Sequence, residues 1–402
     1  MKKTVRPPKR RFDLLQEGRA SSILARDINR DIILELLRLR QPIARVELAE
    51  LSGMQRSTVS LIVEQLIEEK WVVEGAMVRT PRGRPPTMLS LNRDLAILVA
   101  DVRPSQATLA VIDLNGHFLL REVVRLASDP KIGVARIAEG MLRLRSQHKQ
   151  GTFEGAGVSL PGRVDPETHQ LILAPNLNRK WIEYDIKAAL EGELRLQVEM
   201  DNAANACVLS ELWFGGMQNV RNIVVVTISE GVGTGVLTNG QLITGRRGLA
   251  GEFGHIQIDP NGALCSCGKR GCWETFASSR AALRHHAELL PKNPAVDIMD
   301  LMNRADEGES SALQAIARQA KYIGLGLRMI TAALSPDAIV FAGDITACWP
   351  RVESAIRAEV EEGMLAGSAP LLLPIGDGET ARLRGAAALV LQRHAGYHRS
   401  TT

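Results

Sequence analysis

The sequence predicts a small, mostly helical N-terminal module followed by a larger α/β body of two sheet-and-helix lobes. Three observations carry that reading. At 402 residues the chain exceeds one compact core, since domains usually run to about 100–200 residues. Residues 1–95 hold 18 Lys and Arg against 12 Asp and Glu, a surplus of +6 in a chain whose formal charge is only +4, so the basic charge marks off the first quarter. From residue 95 onward, short β-rich runs alternate with helical stretches, the signature of an α/β fold. The expected boundaries are a basic arm over 1–20, a helical module over 21–92 and the body over 93–402.

Some classes are excluded at once. No run reaches the roughly 18 consecutive apolar residues of a membrane helix, so no membrane role is expected. The start, MKKTVRPPKRRFDLL, lacks the apolar stretch of a secretory signal, and the expectation is a cytoplasmic protein without disulfides. Lys2, Lys3, Arg6, Lys9, Arg10 and Arg11 form an arm for which phosphate contact and simple solvation have equal standing.

Within the module, Asp27 is read as the N-cap of a helix whose Ile28, Ile32, Ile33, Leu36 and Leu37 recur on one face, and Pro42 ends it. A second helix fits Arg45–Leu51, and Ser52-Gly53 supplies a turn where positive φ is useful. The third spans 55–70. Val59, Ile62, Val63 and Leu66 make its buried face, while Gln55, Arg56, Ser57, Thr58 and Ser60 leave polar side chains at its N-terminal end, where a recognition helix touches bases and phosphates. Strands at 71–74 and 88–91 bracket a loop with Arg79, Arg82 and Arg84. Helix, helix, glycine turn, helix and basic wing stand in the order of a winged helix-turn-helix that binds double-stranded DNA. The extended Arg82-Gly-Arg84-Pro stretch suits a minor groove. The plainer alternative is a three-helix packing module with an exposed loop.

In the body, strands are expected at 97–101, 107–113, 155–160, 223–228, 233–237 and 338–341. The strongest local signal is Gly251-Glu-Phe-Gly-His255 followed by Cys265-Ser-Cys267-Gly-Lys-Arg-Gly-Cys272-Trp-Glu274. His255, Cys265, Cys267 and Cys272 offer three thiolates and an imidazole within eighteen residues, a tetrahedral zinc set. With no open position the zinc is expected to be structural, one per chain, ordering the loop over 251–274. Cys207 and Cys348 stand apart and read as small core residues.

The run GEFGHIQIDPNGALCSCGKRGCWE resembles the signature of the ROK family, a group of repressors, open reading frames and sugar kinases, and the likeness extends from about residue 20 to the C-terminus. A ROK body behind a winged helix-turn-helix resembles the family's transcriptional regulators. The resemblance implies an actin-like ATPase fold with a cleft between two lobes, and a homodimer or homotetramer. It also implies sugar-contacting roles for Glu252, His255 and Glu274, and weaker ones for Asn176 and Asn202, whose alternative is loop and cap hydrogen bonding.

The kinase chemistry is expected to be lost. A sugar kinase needs backbone amides around the nucleotide phosphates and a carboxylate to take the sugar hydroxyl's proton. Where ROK kinases carry a first phosphate loop similar to Asp-x-Gly-Gly-Thr, this chain has Asp101-Val-Arg-Pro-Ser105, without glycine and with a proline that removes a donor. The family's base maps to Ala203 in Asn202-Ala-Ala-Asn205, and Asp201 is a substitute only if the backbone shifts. The adenosine-side glycine pair reads Gly343-Asp344. The expected function is a regulator, a repressor relieved by a sugar or sugar phosphate, with no catalytic residues. The alternatives are control by a protein partner, with the sugar pocket vestigial, and an active kinase with a DNA-binding extension.

Overall fold

The computed structural model describes residues 14–77, 86–148, 151–216, 220–364 and 367–393. Lys2, Lys3, Arg6, Lys9, Arg10 and Arg11, and the loop arginines Arg79, Arg82 and Arg84, lie outside them. The chain divides into two compact units, one of Met1–Asn92 with Leu391–Thr402 and one of Arg93–Val390.

The N-terminal unit comprises α1 (Leu14–Arg40), β1 (Ile43–Ala44), α2 (Arg45–Ser52), α3 (Arg56–Glu68), β2 (Val72–Met77) and β3 (Thr87–Leu91). Helix α1 begins thirteen residues before Asp27, which therefore lies inside the helix instead of capping it. The helix-forming residues upstream let the turn propagate past it. Ile33, Leu34 and Leu37 are buried, whereas Ile28 is exposed. Helix α2 ends at Gly53, whose φ of 70° closes it in the left-handed region, and Gln55 then opens α3 in extended geometry. Strands β1, β3 and β2 form an antiparallel sheet in that order, so α3 runs into a hairpin. Val59, Ile62, Val63 and Leu66 bury the inner face of α3 with Leu48, Trp71 and Leu89. Arg45 bonds Glu74 at 2.7 Å and so ties α2 to the hairpin.

In the body, the first lobe holds β4 (Leu95–Val102), β5 (Gln106–Asp113), β6 (Phe118–Arg125), α4 (Pro130–Gln147), β7 (Thr152–Leu160), β8 (Arg163–Val164), β9 (Leu171–Leu173), α5 (Ile186–Leu194) and β10 (Val198–Asn202). The second holds α6 (Ala203–Phe214), β11 (Ile223–Ile228), β12 (Val232–Thr238), β13 (Gln241–Leu242), α7 (Glu274–Ala277), α8 (Ser279–Leu289), α9 (Ile298–Asp306) and α10 (Ser310–Leu334). It continues with β14 (Ala338–Gly343), α11 (Trp349–Glu362) and β15 (Leu371–Pro374), and α12 (Gly378–Gln392) closes the chain.

The two main sheets have one topology. In the order β10-β7-β4-β5-β6, three strands meander antiparallel and two more join parallel beside the first. The order β15-β14-β11-β12-β13 repeats this strand for strand. Each sheet packs helices over its own apolar cluster, one around Leu98, Val158 and Trp181 and the other around Val226, Trp273 and Phe341. The duplication puts the β4–β5 turn and the β11–β12 turn at equivalent places, at the carboxyl ends of β4 and β11, where open α/β sheets leave a crevice for ligands.

Helix α12 packs so tightly that two glycines are required. A Cβ on Gly157 of β7 would stand 1.8 Å from the Ala386 carbonyl oxygen, and one on Gly385 would stand 1.8 Å from that of Ala206. Gly157→Ala is therefore expected to destabilise the body by about 3 kcal/mol or more, the upper range of overpacking. Gly192→Ala, where a Cβ meets nothing within 4 Å on α5, is expected to be neutral or to stabilise by about 0.5–1 kcal/mol. Thermal melting of the two variants checks both.

Candidate ligand site and metal centre

The carboxyl ends of the strands enclose a cavity of about 350 Å³. The β4–β5 turn contributes Asp101, Arg103 and Pro104, and the β11–β12 turn Ser229, Glu230 and Gly231. Asn176, Asn202, Glu252, His255 and Glu274 all line it, so the five residues singled out in the sequence converge on one space.

Glycine makes the first half of this arrangement. Gly251 has φ of 83°, and a Cβ on Gly254 would stand 2.1 Å from the Val232 carbonyl oxygen, so Glu252–His255 can lie as a tight 3-10 turn directly against β12. Thr234 donates its hydroxyl to the Gly251 carbonyl and fixes the same turn. Glu274, at the start of α7, accepts from the Val232 N–H at 3.1 Å and from the Ser266 hydroxyl at 3.2 Å. Burial raises the Glu252 carboxyl above its usual range, opposed by the neighbouring His255 and Arg163. Two carboxylates and an imidazole facing one cavity suit vicinal hydroxyls, which donate to carboxylates.

The imidazole faces two ways. His255 Nδ1 lies 3.4 Å from Cys265 Sγ, while Nε2 lies 3.8 Å from Glu252 in the ligand cavity. The donor atoms of His255, Cys265, Cys267 and Cys272 lie within 4.8 Å of one another, compatible with a metal site. Three thiols and one imidazole with no water-facing carboxylate form a closed, soft donor set. Glycines again permit the loop: Gly268 and Gly271 have φ of 87° and 64°, and a Cβ on Gly271 would overlap the Asp259 carbonyl. Cys207 and Cys348 are buried elsewhere, and burial pushes the Cys348 thiol to about 11 and the Cys207 thiol higher still.

At the other end of the cavity the first loop is filled by ions. Asp101 is 1% exposed, and its Oδ2 accepts from Arg382 Nε at 2.9 Å and from Arg103 Nε at 3.3 Å, while Ser159 donates to Oδ1 at 3.2 Å. Arg103 and Arg121 also face Glu379. Burial still pushes Asp101 to about 6. Ala203 presents a methyl to the cavity where the resemblance places a base. Asp201 is engaged within the chain. Its oxygens accept from Asn205 Nδ2 at 3.0 and 3.1 Å and from the Asn202 N–H, and it is not among the residues lining the cavity. Asp344 does reach the cavity and accepts from the Ser279 hydroxyl at 2.8 Å.

The two asparagines are both engaged within the chain. Asn202 Oδ1 caps α6 by accepting from the Asn205 N–H at 2.8 Å, and Asn176 Oδ1 accepts from Arg280 at 3.0 Å. Sequence reasoning missed Arg163 and Arg382 as cavity residues. No local spacing marks Arg382, which reaches Asp101 across 281 residues of chain.

In the N-terminal unit, Gln55, Arg56 and Ser57 are exposed, and Thr58 and Ser60 half-buried, over the first turns of α3. A helix-turn-helix leading into a hairpin presents that end outward.

Residues 101–393 match the family model described as the ROK family. The chain belongs to the ROK family. It is 32% identical over 378 residues to the xylose repressor of Bacillus subtilis strain 168, covering 92% of this chain and 97% of that protein. It is 27% identical over 354 residues to the DNA-binding transcriptional dual regulator NagC of Escherichia coli K12, covering 84% of this chain and 86% of the relative. Among solved structures, a ROK family transcriptional regulator described as a homolog of the E. coli MLC protein aligns with a TM-score of 0.80 and 25% identity, covering 93% of this chain and 98% of its own. A ROK family glucokinase from Streptomyces griseus, in complex with glucose and AMPPNP, aligns at 0.65 and 26%, covering 74% of this chain and 99% of its own. The kinase thus matches a ROK body, and the regulator extends further along the chain.

Asp201 supplies a pH test. An unfolded aspartate takes its proton near 3.8 and the half-buried, desolvated Asp201 near 6, so between those values the folded state holds more protons and wild-type stability rises as pH falls. Above 6 the desolvated charge is a cost. Asp201→Asn is expected to match or exceed the wild type in stability at neutral pH, with its advantage shrinking as pH falls from 6 toward 4. Denaturant unfolding across that range checks the slope, and a wild type that is clearly the more stable at neutral pH contradicts it.

Proposed function

We propose that this ROK protein is a sequence-specific DNA-binding transcriptional regulator, a repressor of carbohydrate-metabolism genes whose hold on DNA is relieved by a sugar or sugar phosphate. One observation carries the reading: two helices joined by a tight turn precede a body whose cavity carries Glu252, His255 and Glu274 on one side and the Asp101–Arg382 ion pair on the other. The names of the relatives, a xylose repressor and a transcriptional dual regulator, support the same class. With Ala203 in place of a base and no glycine in the first loop, the body binds its sugar and does not phosphorylate it.

The residues assigned to DNA are Gln55, Arg56, Ser57, Thr58 and Ser60 on α3, with Arg79, Arg82 and Arg84 from the wing. Glu252, His255 and Glu274 are assigned to sugar hydroxyls, with Asn176 and Asn202 as further contacts once ligand competes with Arg280 and the α6 cap. The metal is zinc, one per chain, held by Cys265, Cys267, Cys272 and Nδ1 of His255. When bound it supplies structure, fixing the loop. His255 then transmits that order to the cavity, because a ring locked through Nδ1 leaves Nε2 pointing at the ligand. A homodimer or homotetramer pairs two such units on a roughly palindromic operator. Half-sites are spaced about 34–36 Å apart, so a change in the separation of two α3 helices on ligand binding is enough to weaken the complex.

Fluorescence anisotropy with DNA from upstream of the gene and its neighbours tests this. The full chain is expected to bind one such fragment specifically, and one sugar or sugar phosphate to release it. Arg56→Ala and Ser57→Ala are expected to cost about 1–3 kcal/mol of specific binding if they read bases. Chelating the zinc is expected to abolish the sugar response. Absence of specific DNA binding, or no effector in a broad sugar panel, contradicts the proposal.

A further inference from the structure

The phosphate-loop end of the cavity holds more cation than its carboxylates use. Arg382, on the first turns of α12, is 8% exposed and lines the cavity. Its Nε serves Asp101, but its Nη2 is buried with no hydrogen-bond partner among the described residues. Buried guanidinium donors are normally satisfied, and this one is short of an acceptor. Arg103 lines the same wall and leans on the same Asp101 oxygen, and its other carboxylate, Glu379, is 3.9 Å away and paired with Arg121. Two guanidiniums therefore share one carboxylate oxygen. The nearby acidic groups are engaged: Glu230 of the second turn by Arg280, and Asp344, which follows β14, by the Ser279 hydroxyl.

We propose that Arg382 and Arg103 form an anion subsite and that the effector is a phosphorylated sugar, its hydroxyls on Glu252, His255 and Glu274 and its phosphate against the two guanidiniums. This rests on the sugar-sensing function proposed above. Guanidinium is the side-chain group best matched to a phosphate, offering two parallel N–H donors to two oxygens. Pro104 offers no amide to a nucleotide's phosphate chain, and Asp344 adds a carboxylate to the same cavity. Burial also brings Asp101 close to taking up a proton, which lessens its opposition to an incoming dianion. The position that a kinase gives to transferable phosphate thus becomes, in this chain, the reader of a phosphate already on the sugar.

Calorimetric titration of the full-length, zinc-loaded protein tests the proposal with glucose, mannose, N-acetylglucosamine and xylose, each beside its terminal phosphate ester, and with inorganic phosphate alone. In at least one pair the phosphate ester is expected to bind about tenfold or more tightly than the free sugar, with the advantage falling at high salt. Arg382→Met leaves Asp101 as an unpaired buried charge, so it is made together with Asp101→Asn. In that double variant, and separately in Arg103→Gln, the ratio within the pair is expected to fall to about threefold or less. A free sugar that binds as well as its ester overturns the anion subsite and leaves sugar sensing intact. Inorganic phosphate that binds as tightly as any ester overturns the assignment of a phosphorylated sugar. A folded protein that binds none of the sugars or esters removes the sugar-sensing function and this inference together.

Discussion

A carboxylate buried at the end of a β-strand has to be paired, and the body of this ROK protein is arranged around that constraint. Asp101 sits where β4 ends, almost wholly out of water. An isolated charge there would be prohibitive, and the pairing with Arg382 and Arg103 together with the Ser159 hydroxyl makes it tolerable. The pairing ties α12, the last helix, back to the first strand of the first sheet. One ion pair therefore joins distant parts of the fold, beside a turn whose proline and lack of glycine leave no amide cradle for phosphate.

The opposite end of the cavity obeys a different logic. Glu252 and Glu274 are positioned by backbone: one by a 3-10 turn pressed onto β12, the other by the Val232 N–H. His255 stands between them and the cysteine cluster, so the order of the cysteine loop and the order of the cavity are coupled through one ring. The cavity thus carries carboxylates on one side and guanidiniums on the other.

Much of this was legible in the sequence, and the parts that were not share a cause. The cysteine and histidine spacing and the Gly-Glu-Phe-Gly-His run lie within one loop, so local order suffices to read them. The boundaries of α2 and α3 follow from Gly53 and an apolar period of 3.6. Helix α1 was misplaced because Asp27 precedes the apolar face and looks like a cap, while the helix continues upstream on propensity alone. Asp101, Arg103 and Ala203 were visible as departures from a kinase pattern, but the reason Asp101 persists was not. Its partner lies on α12 and is brought close only by tertiary packing through Gly157 and Gly385. Likewise, the bonds that hold Asp201 against Asn205 are revealed by no spacing.

The central claim is that the body binds its carbohydrate without transferring phosphate to it. Its most direct test is a coupled assay for ADP, with the zinc-loaded protein, ATP, magnesium and each sugar that the protein binds. No sugar-dependent ADP above the rate of the protein-free control is expected, and Ala203→Asp alone is expected to restore none, because the Asp101–Arg382 pair still occupies the phosphate loop. Sugar-dependent ADP formation by the wild-type chain would contradict the account and identify a working kinase.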